Sequence, residues 1–173
     1  SETGYVALGP PEVKRYRQQA YIRYSTNEGK TWSESTKVPQ WNHASEIALI
    51  QAANGNLVAA CRTDIPRQMK DKKLDHYEGL GISISKDNGR TWSTVNKLYD
   101  YGRHHQSLVL MPDGDIVMTY VVRLGYVNSK NGFPQFGIEA VVSYDHGDTW
   151  VLDHKYILHT WVGNRKGPKA WWP

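Results

Sequence analysis

The chain has 173 residues, enough for one domain with a core of its own, of which 39% are hydrophobic and 22% charged. A net charge of +4 and a pI near 9.1 are mildly basic, and apart from Lys70, Lys72 and Lys73 the cations are spread along the chain, which argues against a nucleic-acid partner. No apolar run reaches transmembrane length, no signal peptide heads the chain, and the lone Cys61 can form neither an internal disulfide nor a thiol metal framework.

Along the chain, alternation at Ile22 and Tyr24 marks a strand that runs into Ser25-Thr26-Asn27-Glu28-Gly29-Lys30-Thr31-Trp32. From Glu46 to Arg62 the pattern is a strand, an Asn54-Gly55 turn and a second strand. A loop follows, then alternation through Leu80, Ile82 and Ile84 into Ser85-Lys86-Asp87-Asn88-Gly89-Arg90-Thr91-Trp92. The order then repeats, with His105 to Arg123 around Asp113-Gly114, a strand through Ile138, Ala140 and Val142, and Ser143-Tyr144-Asp145-His146-Gly147-Asp148-Thr149-Trp150. The three Ser-x-Asp-x-Gly-x-Thr-Trp copies start 60 and 58 residues apart, with Asn27 replacing Asp in the first.

Each copy reads as a hairpin turn, because Asp or Asn can accept from nearby backbone amides and Gly tolerates positive φ. The following Thr-Trp starts the next strand and tucks its indole beneath the turn. Asn54-Gly55 and Asp113-Gly114 read as two-residue hairpin turns. Four antiparallel strands per repeat is the pattern of a propeller blade, and no amphipathic helix is evident. The fold class is therefore all-β, a partial β-propeller of about three blades with four-stranded antiparallel blades. The chain divides into the outer part of one blade at 1–40, whole blades at 43–100 and 104–158, and the inner strand of a further blade at 160–173. Two whole blades cannot close a ring, so the remainder is expected from a longer chain or from a second copy in a homo-oligomer.

These repeats resemble the sialidase superfamily, whose mark is the Asp box, or BNR repeat, on a six-bladed propeller. The stretches from Ser45-Glu46 to Arg62 and from Gln106 to Arg123, the second followed by a Gly-Ile-x-Ala strand and a box, are similar to its bacterial branch. The resemblance implies an exo-glycosidase that removes a terminal sialic acid from glycans. Three arginines would hold the sugar carboxylate, a Tyr activated by a Glu would be the nucleophile, and an Asp the acid/base. Arginine suits such a carboxylate through planar bidentate pairing, and a neutral Tyr nucleophile is a known variant of the two-carboxylate scheme. The alternative is a carbohydrate- or protein-binding propeller without catalysis.

Carried over residue by residue, Glu46 matches the Tyr-activating Glu and Arg62, 16 residues on, a triad arginine. Arg123 holds the matching place one blade later, and Asp64 is the candidate acid/base near Arg62. A triad arginine eight residues before a box Ser would fall at position 135, where this sequence has Gln135. The nucleophilic Tyr belongs to a later blade. His105 is the repeat equivalent of Glu46 and is expected to contact ligand at the same axis. His104 and His105, adjacent on a strand, should face opposite ways and share no metal. No cofactor is expected, and the ligand class is a sialoglycan-like carbohydrate. The boxes are expected on the rim, Cys61 in the core, and Trp171-Trp172 on a packing surface.

Overall fold

The computed structural model describes residues 3–7, 18–69, 75–124 and 135–162. They form eleven antiparallel strands in three sheets, with two short 3-10 turns at Arg67–Met69 and Asp75–Tyr77. The first sheet has β1 (Thr3–Ala7), β2 (Gln18–Ile22) and β3 (Thr36–Asn42) in sequence order. The second runs β4 (Ala44–Gln51), β5 (Leu57–Thr63), β6 (Gly79–Ser85) and β7 (Asn96–Tyr99). The third runs β8 (Arg103–Leu110), β9 (Ile116–Val122), β10 (Gln135–Ser143) and β11 (Tyr156–Val162). Meandering four-stranded sheets stacked face to face are propeller blades, and the chain is a partial β-propeller.

β11 runs on to Val162, pairing Thr160, Trp161 and Val162 with Gly137, Phe136 and Gln135. These three residues, expected to open an inner strand of a further blade, belong instead to the outermost strand of the third sheet. Residues 163–173, with Trp171-Trp172, and the lysine cluster at 70–73 lie outside the described residues.

The three box turns are built alike. In the second, the Ser85 hydroxyl donates to Asp87 Oδ1 at 2.8 Å and accepts from the Gly89 amide at 2.7 Å. Asp87 then accepts from the Thr91 amide at 2.8 Å and the Thr91 hydroxyl at 2.6 Å, while the Trp92 indole donates to the Gly89 carbonyl at 3.0 Å. Ser143, Asp145, Gly147, Thr149 and Trp150 repeat this network. In the first copy Asn27 accepts from the Thr31 amide at 2.9 Å and donates from its own amide to the Thr31 hydroxyl at 2.8 Å, so an amide replaces the carboxylate with one hydrogen bond reversed. The backbone reason for the motif is a pair of left-handed residues, Asn88 at φ 57° and Gly89 at φ 84° in the second copy.

The hairpins between inner strands close differently from the expected two-residue turns. Ala52 and Asn56 pair through the Ala52 amide, Gly55 donates to the Ala52 carbonyl, and of the loop residues only Gly55 has positive φ. That is a three-residue loop, a type I turn followed by a left-handed glycine. Met111, Gly114 and Asp115 repeat it.

The core lies between blades. Ala20, Ile22, Val38, Trp41 and Trp92 pack between the first and second sheets, with the two indoles 4.5 Å apart. Val58, Leu80, Met118, Tyr120, Val141 and Trp150 fill the gap between the second and third. Box turns reach across these gaps: the Tyr24 hydroxyl donates to the Gly89 carbonyl at 2.5 Å, and a Cβ on Gly147 would stand 2.7 Å from a Val58 methyl. The boxes also lie far from the other sheet end, since Ser85 pairs with Leu57 whereas Arg62 pairs with Leu80, a separation along β6 of about 17 Å at the usual rise.

Trp92, 6% exposed, should cost about 3–5 kcal/mol when replaced by Ala, as a buried aromatic does, and half-buried Trp32 clearly less. Denaturant unfolding of the two variants side by side checks the order; equal losses would remove the packing role of Trp92. The Asp87 carboxyl, held by Thr91 first and foremost, is drawn down to about 2. Its folded value lies below its unfolded one, so its contribution is present above about pH 4 and fades as pH falls towards 2. Asp87→Asn should therefore fold, as Asn27 already does in the first box, and show a flatter acid limb in thermal melts.

Candidate functional site

At the sheet ends opposite the boxes, β4 and β8 each carry a break in register. Pairing jumps between Ser45 and Ala48 in β4 and between His104 and Ser107 in β8. Glu46 sits in the first break with φ 49° and His105 in the second with φ 57°. Left-handed backbone costs a residue with a Cβ about 1–2 kcal/mol, and its recurrence at equivalent positions of two strands marks a built feature. The bulge changes where side chains go. His104 and His105, expected to face opposite ways, have ring centroids 4.4 Å apart because strict alternation fails there.

The bulges gather a continuous polar chain. Glu46 Oε1 accepts from Arg62 NH1 at 2.9 Å, and Arg62 Nε donates to the Ser45 hydroxyl at 3.0 Å and lies 3.3 Å from Glu78 Oε2. Glu46 Oε2 lies 3.3 Å from His105 Nε2, a long contact, and His105 Nδ1 lies 2.9 Å from Arg123 NH2. Gln106 donates its amide to the carbonyls of Glu46 and of Ala60, the latter at 3.0 Å, tying the third sheet to the second beneath the cluster. Burial works to raise the Glu46 carboxyl, but the contact from His105 and the charge of Arg62 outweigh it and leave it below its ordinary value. His104, fully buried, is pushed down to about 3 by burial and by the positive groups around it, so it stays neutral.

Glu46, Arg62, His105 and Arg123 therefore lie together. Arg123 reaches the cluster from another register than the repeat suggested: Arg62 pairs with Ser45, whereas His104 pairs with Val121. Arg123 stands two residues beyond the true counterpart of Arg62, and period-two alternation keeps it on the same face. Asp64 is placed differently, with Oδ2 2.6 Å from His43 Nδ1 and a carboxyl raised by burial in spite of that contact. Gln135 opens β10.

Ser45, Glu78 and Gln106 are site neighbours to which the sequence reading gave no role, and His104 joins them. Glu78 sits between a 3-10 turn and β6, outside any periodic segment. A second buried polar network was equally silent. Arg103 Nε donates to Glu139 at 3.2 Å, the Arg103 guanidinium covers Tyr99 at 4.6 Å, and the Tyr99 and Tyr120 hydroxyls meet at 2.8 Å. It joins the outer edge of the second sheet to the third.

Ligand-type atoms of Glu46, His104 and His105 lie within 4.8 Å of one another, the spacing of a metal site. The hydrogen bonding opposes that use. Arginine can only donate, so neutral His105 takes the Arg123 hydrogen bond on Nδ1 and carries its own proton on Nε2, the atom that faces Glu46. A metal there would need the other tautomer and the loss of the Arg123 contact.

The blade repeat and box geometry define the class, an Asp-box β-propeller. A family model described as BNR/Asp-box repeat matches residues 23–34. A "Sialidase" of Paraclostridium sordellii is 26% identical over 153 residues, covering 83% of this chain and 35% of that protein. Among solved structures, a Hadza microbial sialidase aligns with a TM-score of 0.56 at 18% identity, over 83% of this chain and 32% of that one. A Dyadobacter fermentans protein of unknown function aligns with a TM-score of 0.56 at 20% identity, over 83% of this chain and 35% of that one. The chain is similar to these sialidase-like proteins and spans about a third of the length of the curated relative it matches.

Arg62→Ala would leave Glu46 without its nearest cation. The titration midpoint of the Glu46 carboxyl, followed by side-chain 13C NMR, should rise in that variant; an unmoved midpoint would contradict the 2.9 Å pair.

Proposed function

We propose that this chain supplies part of a sialidase-type site, in which Arg62 and Arg123 receive the carboxylate of a terminal acidic sugar and the whole protein hydrolyses sialosides. The observation that carries the reading is the polar chain from Arg123 through His105 and Glu46 to Arg62, raised on two left-handed bulges. Arg62 already faces Glu46 and Glu78, so a ligand carboxylate would enter by exchanging with one of these contacts, and planar guanidiniums suit such an acceptor. In this reading Glu46 activates a nucleophile contributed from outside the described residues. Asp64 is the acid/base candidate: burial keeps its carboxyl above the ordinary value, as a proton donor requires, and His43 holds its orientation.

A binding propeller without turnover is the second reading, favoured by Gln135 where the resemblance asks for an arginine. Turnover of a fluorogenic sialoside, set beside calorimetric titration with N-acetylneuraminic acid and with galactose, separates the two. Arg62→Ala should weaken the acidic sugar by about 1.5–3 kcal/mol, the range for hydrogen bonds to charged groups, and leave galactose unchanged. Binding without turnover selects the second reading. Equal loss for both sugars would make Arg62 a structural residue.

A further inference from the structure

The outermost strand of each sheet has a backbone edge to protect, and the three sheets treat it differently. In the first sheet β3 carries Lys37 and Pro39, and in the second β7 is only four residues long with Lys97 among them. A charge, a proline and a short length are devices that stop an edge from pairing with another chain. β11 has none of them: Tyr156-Ile157-Leu158-His159-Thr160-Trp161-Val162 includes no proline, no lysine and no carboxylate. Among the described residues nothing pairs with its outer edge. Its side chains are not put away either. β3 buries Val38 and Trp41, whereas Tyr156, Ile157 and Leu158 are 47%, 61% and 57% exposed. A further blade stacked on the third sheet would cover one face of β11, and the outer edge lies on neither face.

We infer that the outer edge of β11 docks the same edge of a second copy of this chain, the two strands pairing antiparallel about a two-fold axis and joining two four-stranded sheets into one of eight. The occupant follows from the edge itself. A row of unpaired backbone amides and carbonyls is satisfied by another strand, and under a two-fold axis an antiparallel edge is complementary to its own copy. Such an axis also brings charges near their copies, which would penalise Lys37 on β3 or Lys97 on β7 and costs the uncharged β11 nothing. The ladder to β10 skips Leu158 and then runs without a break from His159 to Val162. That regular stretch is where a partner strand fits, with the axis at exposed Thr160. Thr160 then faces its own copy, and His159 faces Trp161 of the partner subunit; threonine pairs and aromatic pairs are both favourable across antiparallel strands. The contact lies on the outer rim, so it leaves the blade faces and the polar cluster untouched and does not depend on the sugar reading. A strip of seven residues is about 23 Å long, which puts the interface at the small end of specific ones, below about 1,200 Å², and makes the dimer reversible.

Sedimentation of the full chain from about 10 to about 500 µM should show a monomer–dimer equilibrium. Thr160→Lys sets like charges directly opposite each other and should weaken the dimer about five- to tenfold, with an unchanged thermal melt because the position is exposed. Crosslinking locates the contact. Cys61 is fully buried and its thiol is pushed up to about 12, so a cysteine introduced at the surface is the thiol that oxidises. Thr160→Cys should give a covalent dimer under mild oxidation, since directly opposed strand residues lie within disulfide reach. Val109→Cys, 52% exposed but on the innermost strand of the same sheet, should not. A chain that stays monomeric over that range, a dimer that Thr160→Lys leaves at full strength, or crosslinking through Val109→Cys in place of Thr160→Cys would each overturn the proposal. Should Thr160→Lys fail to fold or the chain aggregate, the crosslinking comparison decides alone.

Discussion

The axial end of this propeller depends on one backbone constraint, a left-handed residue that is not glycine, placed at the same point of two innermost strands. A regular strand would alternate Ser45, Glu46 and Ile47 between faces and leave Glu46 without a path to both Arg62 and His105. Turning φ positive at Glu46 and His105 shifts the pairing register and swings both side chains to one place. The ladder hydrogen bonds lost there are partly made good by Gln106, whose amide reaches the Glu46 and Ala60 carbonyls from the neighbouring sheet. The strain and its compensation belong to one device, since the residue that restores bonding in one blade follows the strained residue of the next.

Box turns and bulges divide the work between two ends of each sheet. At the box end, hydroxyl and carboxylate or amide groups saturate a tight turn, and its indole and glycine carbonyl fasten it to a neighbour. At the other end, arginines, carboxylates and imidazoles satisfy one another in a largely buried cluster.

Most of the fold was legible because it is written locally. The boxes fixed where sheets turn, the Asx-Gly pairs fixed the inner hairpins, and period-two alternation fixed the strands. The hairpin loops came out one residue longer than read, since an Asx-Gly pair suits both a two-residue turn and the end of a three-residue loop. The gathering of Glu46, Arg62, Arg123 and His105 could be inferred from repeat position, but its mechanism could not. No residue type announces a left-handed Glu or His, so alternation sent His104 and His105 apart on paper. Glu78 and the Arg103–Glu139 pair gave no signal, because a lone charge in a loop or in the apolar run around Ile138 declares no partner.

Three near-identical hairpins also create a hazard during folding. Each box closes over fewer than ten residues, so every blade can build its outer half early and alone. Strands of equal length and like pattern can then pair with the wrong neighbour, as repeat chains do when they misassemble. What tells one gap from the other is not the repeat but its exceptions. Trp41 meets Trp92 in the first gap, and Tyr99 meets Tyr120 in the second. Trp41 and the Tyr99–Tyr120 pair, which the box repeat does not supply, give the two gaps different contacts, and exchanging them should favour mispairing while leaving every box intact.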